Sequence, residues 1–298
     1  MTMISANKRL ISLLSSVTVA FTAACSPVKT LNAIIPSNGY TLTQGIAYGA
    51  LPRQKLDVYM PKGKQSSVQR RPLVVFFYGG SWDSGGRADY KFVAEALTSK
   101  GFVVVIPDYR VYPEVVFPDF LFDAAKAARW AKDNAEQYTG DRNQVFLAGH
   151  SAGAHIAAML TLDQQYLASV DLKPKDFAGM IGLAGPYDFL PVKTDRLRTI
   201  LGSEDQRWKS QPINFVKGDN PPMLLMVGLK DDKVWPRNTF NLAAKIKEAG
   251  GPVEVIEYPQ YGHIEMVAKL AKPFRKKDDL LDAIAHFIQS HSAATVSN

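Results

Sequence analysis

Cysteine is nearly absent: Cys25 is the only one in 298 residues, so the fold has no internal disulfide. There is no internal repeat and no low-complexity tract. No apolar run is long enough to span a bilayer comfortably; the longest near the N-terminus, Leu10 to Phe21, falls short. The basic residues are not concentrated, although the formal charge is +7 and the pI about 9.3. Their densest group, Lys269, Lys272, Arg275, Lys276 and Lys277, runs straight into Asp278 and Asp279. That pattern argues against a nucleic-acid binder and for a solvated surface, one able to rest near anionic lipid. Hydrophobic content of 46% and charged content of 21% are ordinary for a globular protein.

The first two dozen residues read as a targeting segment. Lys8 and Arg9 form a positive region, Leu10–Phe21 an apolar one, and Thr22-Ala23-Ala24 place small residues just before Cys25. This resembles the lipobox of bacterial lipoproteins, with Thr22 where leucine is commonest. The resemblance implies cleavage after residue 24, lipidation of Cys25 and an envelope location. Ser26, rather than aspartate, after the cysteine implies the outer membrane, facing the periplasm. Without Lys8 and Arg9 the net charge is +5 (7 minus 2). Residues 25–40, with Pro27, Pro36, Ser37, Asn38 and Gly39, read as a tether. About 270 residues remain, near the upper limit for one core, and 41–298 reads as a single domain.

Within it, residues 41–60 predict two antiparallel edge strands and 61–71 a polar surface loop. Apolar runs then alternate with helical spacing. Strands are expected at 72–78, 102–106, 145–148, 177–183, 223–227 and 253–258. Helices are expected at 88–100, 119–137, 239–249 and 279–291. The pattern lapses over 188–220. Such alternation gives a mostly parallel sheet with helices on both faces, an α/β fold whose functional groups gather at the carboxyl ends of the strands.

The central stretch is Gly149-His150-Ser151-Ala152-Gly153, between a buried strand and a helix. A strand–turn–helix corner of this kind presents a serine hydroxyl above the sheet and aims the positive helix end at it. Gly149 and Gly153 remove bulk that would strike the neighbouring helix or strand. A serine nucleophile needs a base, and the base needs a carboxylate to hold its tautomer. Of five histidines, His150 and His155 flank Ser151, with His150 directed away by the turn, while His286 and His291 lie on the last helix. His263 alone follows the last strand in a loop able to reach across the sheet edge. The carboxylate belongs after the preceding strand, where Asp231 and Asp232 stand together; Asp231 is preferred, Asp232 and then Asp188 being the alternatives. Oxyanion donors are sought in Tyr78-Gly79-Gly80-Ser81-Trp82, after the 72–78 strand: Gly80 or Ser81, with Ala152, and Gly79 as the competing choice.

Together, Tyr78–Trp82, Asp108-Tyr109-Arg110, Tyr112-Pro113-Glu114, Phe117-Pro118, Gly149–Gly153, Asp231 with Val234, and Gly262-His263 resemble the carboxylesterases of the α/β-hydrolase superfamily. The branch resembled is the esterase and arylformamidase-like one with a His-Gly-Gly-x-Trp loop, over about residues 45–290. The resemblance implies a Ser151-His263-Asp231 triad, an acyl-enzyme, small to medium acyl or aryl esters as substrates, and no cofactor or metal. Tyr78 departs from it, standing where histidine is usual: its hydroxyl either supports the loop or narrows the pocket. Residues 188–220, with Phe189, Leu190, Trp208 and Phe215, are expected to cap the acyl pocket, and Trp82 and Trp235 to line it; plain packing is the competing expectation. An amidase, arylformamidase or peptidase is the alternative within hydrolases. Outside them stands a non-catalytic binding protein, against which the retention of all three triad residues argues.

Overall fold

A computed structural model describes residues 27–63, 70–277 and 279–293. Cys25 and the segment before it lie outside these residues. Eight strands form one sheet: β1 (Tyr40–Ala47), β2 (Lys55–Pro61), β3 (Arg71–Phe77), β4 (Val103–Pro107), β5 (Gly140–His150), β6 (Gly179–Leu183), β7 (Met223–Gly228) and β8 (Val253–Tyr258). The helices are α1 (Pro27–Ile34), α2 (Lys91–Ser99), α3 (Asp119–Asn134), α4 (Ala152–Leu162), α5 (Gln164–Ala168), α6 (Asp195–Ile200), α7 (Arg237–Glu248), α8 (Glu265–Ala268) and α9 (Leu280–Ala293).

The strand order is β1-β2-β4-β3-β5-β6-β7-β8. β1 and β2 are antiparallel additions at one edge, and β4 through β8 run parallel. The continuous apolar strands follow from this topology. β4 and β6 are buried along their whole length because helices cover both faces. α2 and α9 pack on one face, α3 and α4 on the other. Phe76, Phe77, Phe146 and Phe287 are almost wholly buried; side chains of this size each contribute about 1.5–3 kcal/mol by leaving water. Arg275 pairs with Glu95 at 2.5 Å, fixing the segment before α9 to α2.

The registers align the strand ends. Phe77 pairs with Gly149, His150 with Leu183, Leu183 with Met226, and Gly228 with Tyr258. Loops leaving β3, β5, β7 and β8 therefore emerge at one rim.

One difference from the sequence reading concerns residues 25–40. Of that stretch, 27–34 form α1, which docks on the domain. Asn32 Nδ2 donates to the carbonyls of Ala88 and Asp89 at 2.9 and 2.8 Å, Lys91 donates to the Ile35 carbonyl at 2.9 Å, and Ile35 is buried. Proline and serine content concealed this because three polar groups of the domain, not helix propensity, hold the segment. Among the described residues no helix is long and apolar enough to cross a membrane.

Candidate active site

Ser151 stands between β5 and α4 with φ 54° and ψ −122°, in the left-handed half of backbone space. Such a conformation costs about 1–3 kcal/mol and persists only where its surroundings enforce it. They do so here. The Ser151 N–H donates to the Leu183 carbonyl of β6 at 2.9 Å. The approach of α4 to the sheet leaves no space for side chains: a Cβ at Gly153 would lie 1.9 Å from the Phe77 carbonyl oxygen, and one at Gly149 2.3 Å from the Gly153 carbonyl.

His263 lies in the loop after β8. The Ser151 hydroxyl donates to its Nε2 at 3.0 Å, and its Nδ1 donates to Asp231 Oδ2 at 2.8 Å. The carboxylate fixes that tautomer. The Asp231 side chain is fully buried, and its second oxygen accepts the N–H groups of Lys233 and Val234 at 2.9 and 2.8 Å. The loops carrying Asp231 and His263 are sewn together: Leu229 N–H donates to the Tyr258 carbonyl and Lys230 N–H to that of Tyr261, both at 3.0 Å. Asp232 points to solvent beside Lys233, and Asp188 accepts from Asn241 at 2.6 Å. Of the three carboxylates weighed from sequence, Asp231 is the one facing the imidazole.

The Tyr78–Trp82 loop is sharply bent, with φ values of +131°, +51° and +59° at Gly80, Ser81 and Trp82. The Gly80 carbonyl is turned outward, accepting from the N–H groups of Asp83 and Ser84 at 3.0 and 3.1 Å. The Gly79 main chain bonds the Tyr90 hydroxyl, whose pKa burial pushes up to about 12. Ser81 and Ala152 border the same cavity as Ser151 and His263; Gly80, half-buried, does not. Tyr78 points away from this cavity. Its ring is buried between Tyr90 and Tyr109, and its hydroxyl donates to Asp108 at 3.0 Å and accepts from Arg53 at 3.2 Å. Of the two roles open to Tyr78 from sequence, the geometry matches support of the loop.

The cavity has a volume of about 650 Å³. Trp82 is buried in its wall, edge-on to His155 at 4.9 Å and stacked on Phe189 at 5.9 Å. Trp235 sits at the mouth, 47% exposed. From the 188–220 stretch, Phe189, Pro191, Val192, Lys193 and Leu197 line the cavity. Trp208 and Phe215 do not: they stack on each other away from it.

Two further histidines surround the serine. His150 Nε2 donates to the His263 carbonyl at 3.0 Å, and His155 Nε2 donates to the Ser210 carbonyl at 2.7 Å. Burial lowers their pKa values to about 3 and about 4, with the neighbouring His263 adding to the shift at His150. Both rings are therefore neutral near pH 7. Sequence reasoning missed the bond from His150 to the His263 loop, because nothing local tells where a strand-end side chain will meet a loop more than 100 residues later. Among the described residues, no three His, Cys, Asp or Glu side chains are grouped to hold a metal ion.

An eight-stranded, mostly parallel sheet with a serine at the β5–α4 corner, and acid and histidine on the loops after β7 and β8, is the α/β-hydrolase fold. Residues 56–246 match the BD-FAE family model, and the chain belongs to that family. It is similar to a probable isoprenylcysteine alpha-carbonyl methylesterase of Oryza sativa subsp. japonica, 32% identical over 84% of this chain and 64% of that protein. Esterase LipC of Mycobacterium tuberculosis is 29% identical over 75% of this chain and 60% of its own length. The kynurenine formamidase of Danio rerio is 28% identical over 76% and 75%. The chain spans 62%, 51% and 60% of three of the curated relatives it matches. Among solved structures, a tributyrin phosphonate-inhibited esterase B from Lactobacillus rhamnosis shares the fold with a TM-score of 0.79. It is 20% identical, over 90% of this chain and 91% of the other. A truncated carbohydrate esterase from gut microbiota gives 0.72, with 21% identity over 87% and 99%.

Proposed function

We propose that this chain is a serine carboxylesterase acting on small to medium acyl or aryl esters. The observation that carries the reading is the unbroken line of hydrogen bonds from the Ser151 hydroxyl through His263 to Asp231, opening on an apolar cavity. His263 takes the Ser151 proton as the oxygen attacks the ester carbonyl, and Asp231 stabilises the imidazolium that forms. The tetrahedral oxyanion is met by the Ala152 N–H, at the positive end of α4, and by an N–H of Gly80 or Ser81. Each such donor lowers the barrier by about 3 kcal/mol. His263 returns its proton to the leaving alcohol, and water, activated by the same base, releases the acid and restores Ser151.

The names of several relatives, esterases and methylesterases, support an ester over an amide. The formamidase among them keeps amide hydrolysis as the second reading. A panel of p-nitrophenyl esters, N-formyl amides and peptide amides, assayed with wild type and Ser151→Ala, tests both. Ester turnover that disappears in the variant supports the proposal; formamide turnover without ester turnover would replace it.

Lipid anchoring through Cys25 to a bacterial outer membrane remains part of this proposal. Labelling with an alkyne fatty acid, present in wild type and absent in Cys25→Ala, is the expected result.

A further inference from the structure

The mouth of the cavity is electrically one-sided. Lys193, Lys233 and Arg237 border it, against one exposed carboxylate, Asp232. Asp232 is engaged by Lys233 at 3.7 Å. Among the described residues, neither Lys193 nor Arg237 pairs with a carboxylate, whereas nearby Arg196 and Arg198 pair with Asp83 and Asp195. What gathers the two unpaired cations is Trp235: the Lys193 ammonium stands 4.3 Å from its ring centroid and the Arg237 guanidinium 5.4 Å. The ring attracts each cation singly, but the two like charges repel each other and, among the described residues, no carboxylate pairs with either. Behind the mouth the walls are apolar: Trp82, Phe189, Val192 and Leu197. A ligand that satisfies both zones has an apolar or aromatic body and an anionic end directed outward.

Resting on the esterase reading, we infer that the substrate is a carboxylate-bearing ester. Its free carboxylate, on the end remote from the scissile carbonyl, is held by Lys193 and Arg237. The guanidinium fork suits a carboxylate's two oxygens, and the ammonium adds a point charge. Water cleaves the ester to acid and alcohol as before, and the remote carboxylate leaves unchanged.

The test uses two matched pairs, because the anion can reside on either side of the scissile bond. One pair is 4-acetoxybenzoate and 4-acetoxybenzamide; the other is mono-4-nitrophenyl adipate and 4-nitrophenyl hexanoate. In at least one pair, kcat/KM for the anionic member should exceed that of its neutral partner by about fivefold or more at low ionic strength. The ratio should shrink in about 0.5 M salt, where the Debye length is a few ångströms. It should fall towards one in the Lys193→Gln/Arg237→Gln double variant. A neutral member hydrolysed as well or better in both pairs overturns the inference, and so does a ratio that the double variant retains in full. Failure of the underlying reading looks different: no member of either pair is hydrolysed, and Ser151→Ala matches wild type.

Discussion

His150 and His263, 113 positions apart, are joined by a hydrogen bond from the Nε2–H of the first to the main-chain carbonyl of the second, 3.0 Å long. The residue before Ser151 thus holds the loop that carries His263. Its other ring nitrogen has no partner, so the bond to His263 is the ring's one polar tie.

His150 is on this account a positioning residue. His150→Ala should lower kcat by about ten- to a hundredfold, the range expected when a reacting group shifts by about an ångström. KM should change little, because the side chain does not border the cavity. His150→Gln, which keeps an N–H donor, should recover part of the loss. Steady-state kinetics on one ester checks all three; equal damage to KM would point to general unfolding of the site.

Tyr78 ties the 78–82 loop to a buried polar cluster. Its hydroxyl meets Asp108 and Arg53, and Asp108 also accepts the Arg87 N–H at 2.7 Å and an ion pair from the Arg87 guanidinium. Tyr78→Phe leaves Arg53 and Asp108 each one partner short and should cost about 1–3 kcal/mol. Urea titration reads the loss. A lower kcat on the same ester would show that the loop had loosened as well.

Stability should fall as the solution is acidified through the histidine range. His150 and His155 have folded-state pKa values near 3 and 4, below the ordinary 6.5, so the unfolded chain binds the protons that the fold excludes. Their contribution is complete above about pH 6.5 and is lost progressively below it. Between pH 6.5 and 5 each should cost about 2 kcal/mol, at roughly 1.4 kcal/mol per pH unit. His155→Gln should remove about one proton from the slope of unfolding free energy against pH.

Gly153→Ala should be far worse than its single methyl suggests. The added carbon meets the Phe77 and Tyr78 carbonyls at 1.9 and 2.6 Å, and main chain on both sides cannot yield. A loss of about 3 kcal/mol or more is expected. Gly39→Ala, where nothing lies within 4 Å of the new carbon, should change stability by less than about 0.5 kcal/mol. Thermal melts of the two variants side by side check this.

The positions of the candidate site residues were legible in the sequence wherever local pattern sets them. A buried run before Ser151 and helical spacing after it locate the corner, and the runs of β7 and β8 place Asp231 and His263 one loop beyond each strand end. The edge strands β1 and β2 and the parallel remainder also follow from alternation and apolar runs. Long-range contacts were not legible. Asp231 and Asp232 differ only in which way the turn directs them, and the N–H groups of Lys233 and Val234 decide it. The inward course of Tyr78, the docking of α1 and the gathering of cations on Trp235 depend on partners distant in sequence. Trp208 and Phe215 share the aromatic character of Phe189, and composition alone does not tell a wall from a surface stack.

Everything above depends on Ser151 as the oxygen that His263 deprotonates. The most direct measurement is intact mass after exposure to a p-nitrophenyl phosphonate, with the modified peptide then sequenced. One phosphonyl group on Ser151 is expected, formed quickly in wild type, absent in Ser151→Ala and formed at least about a hundredfold more slowly in His263→Ala. Esterase activity that survives in Ser151→Ala, or a phosphonyl group carried by any other residue of the active protein, would contradict the account.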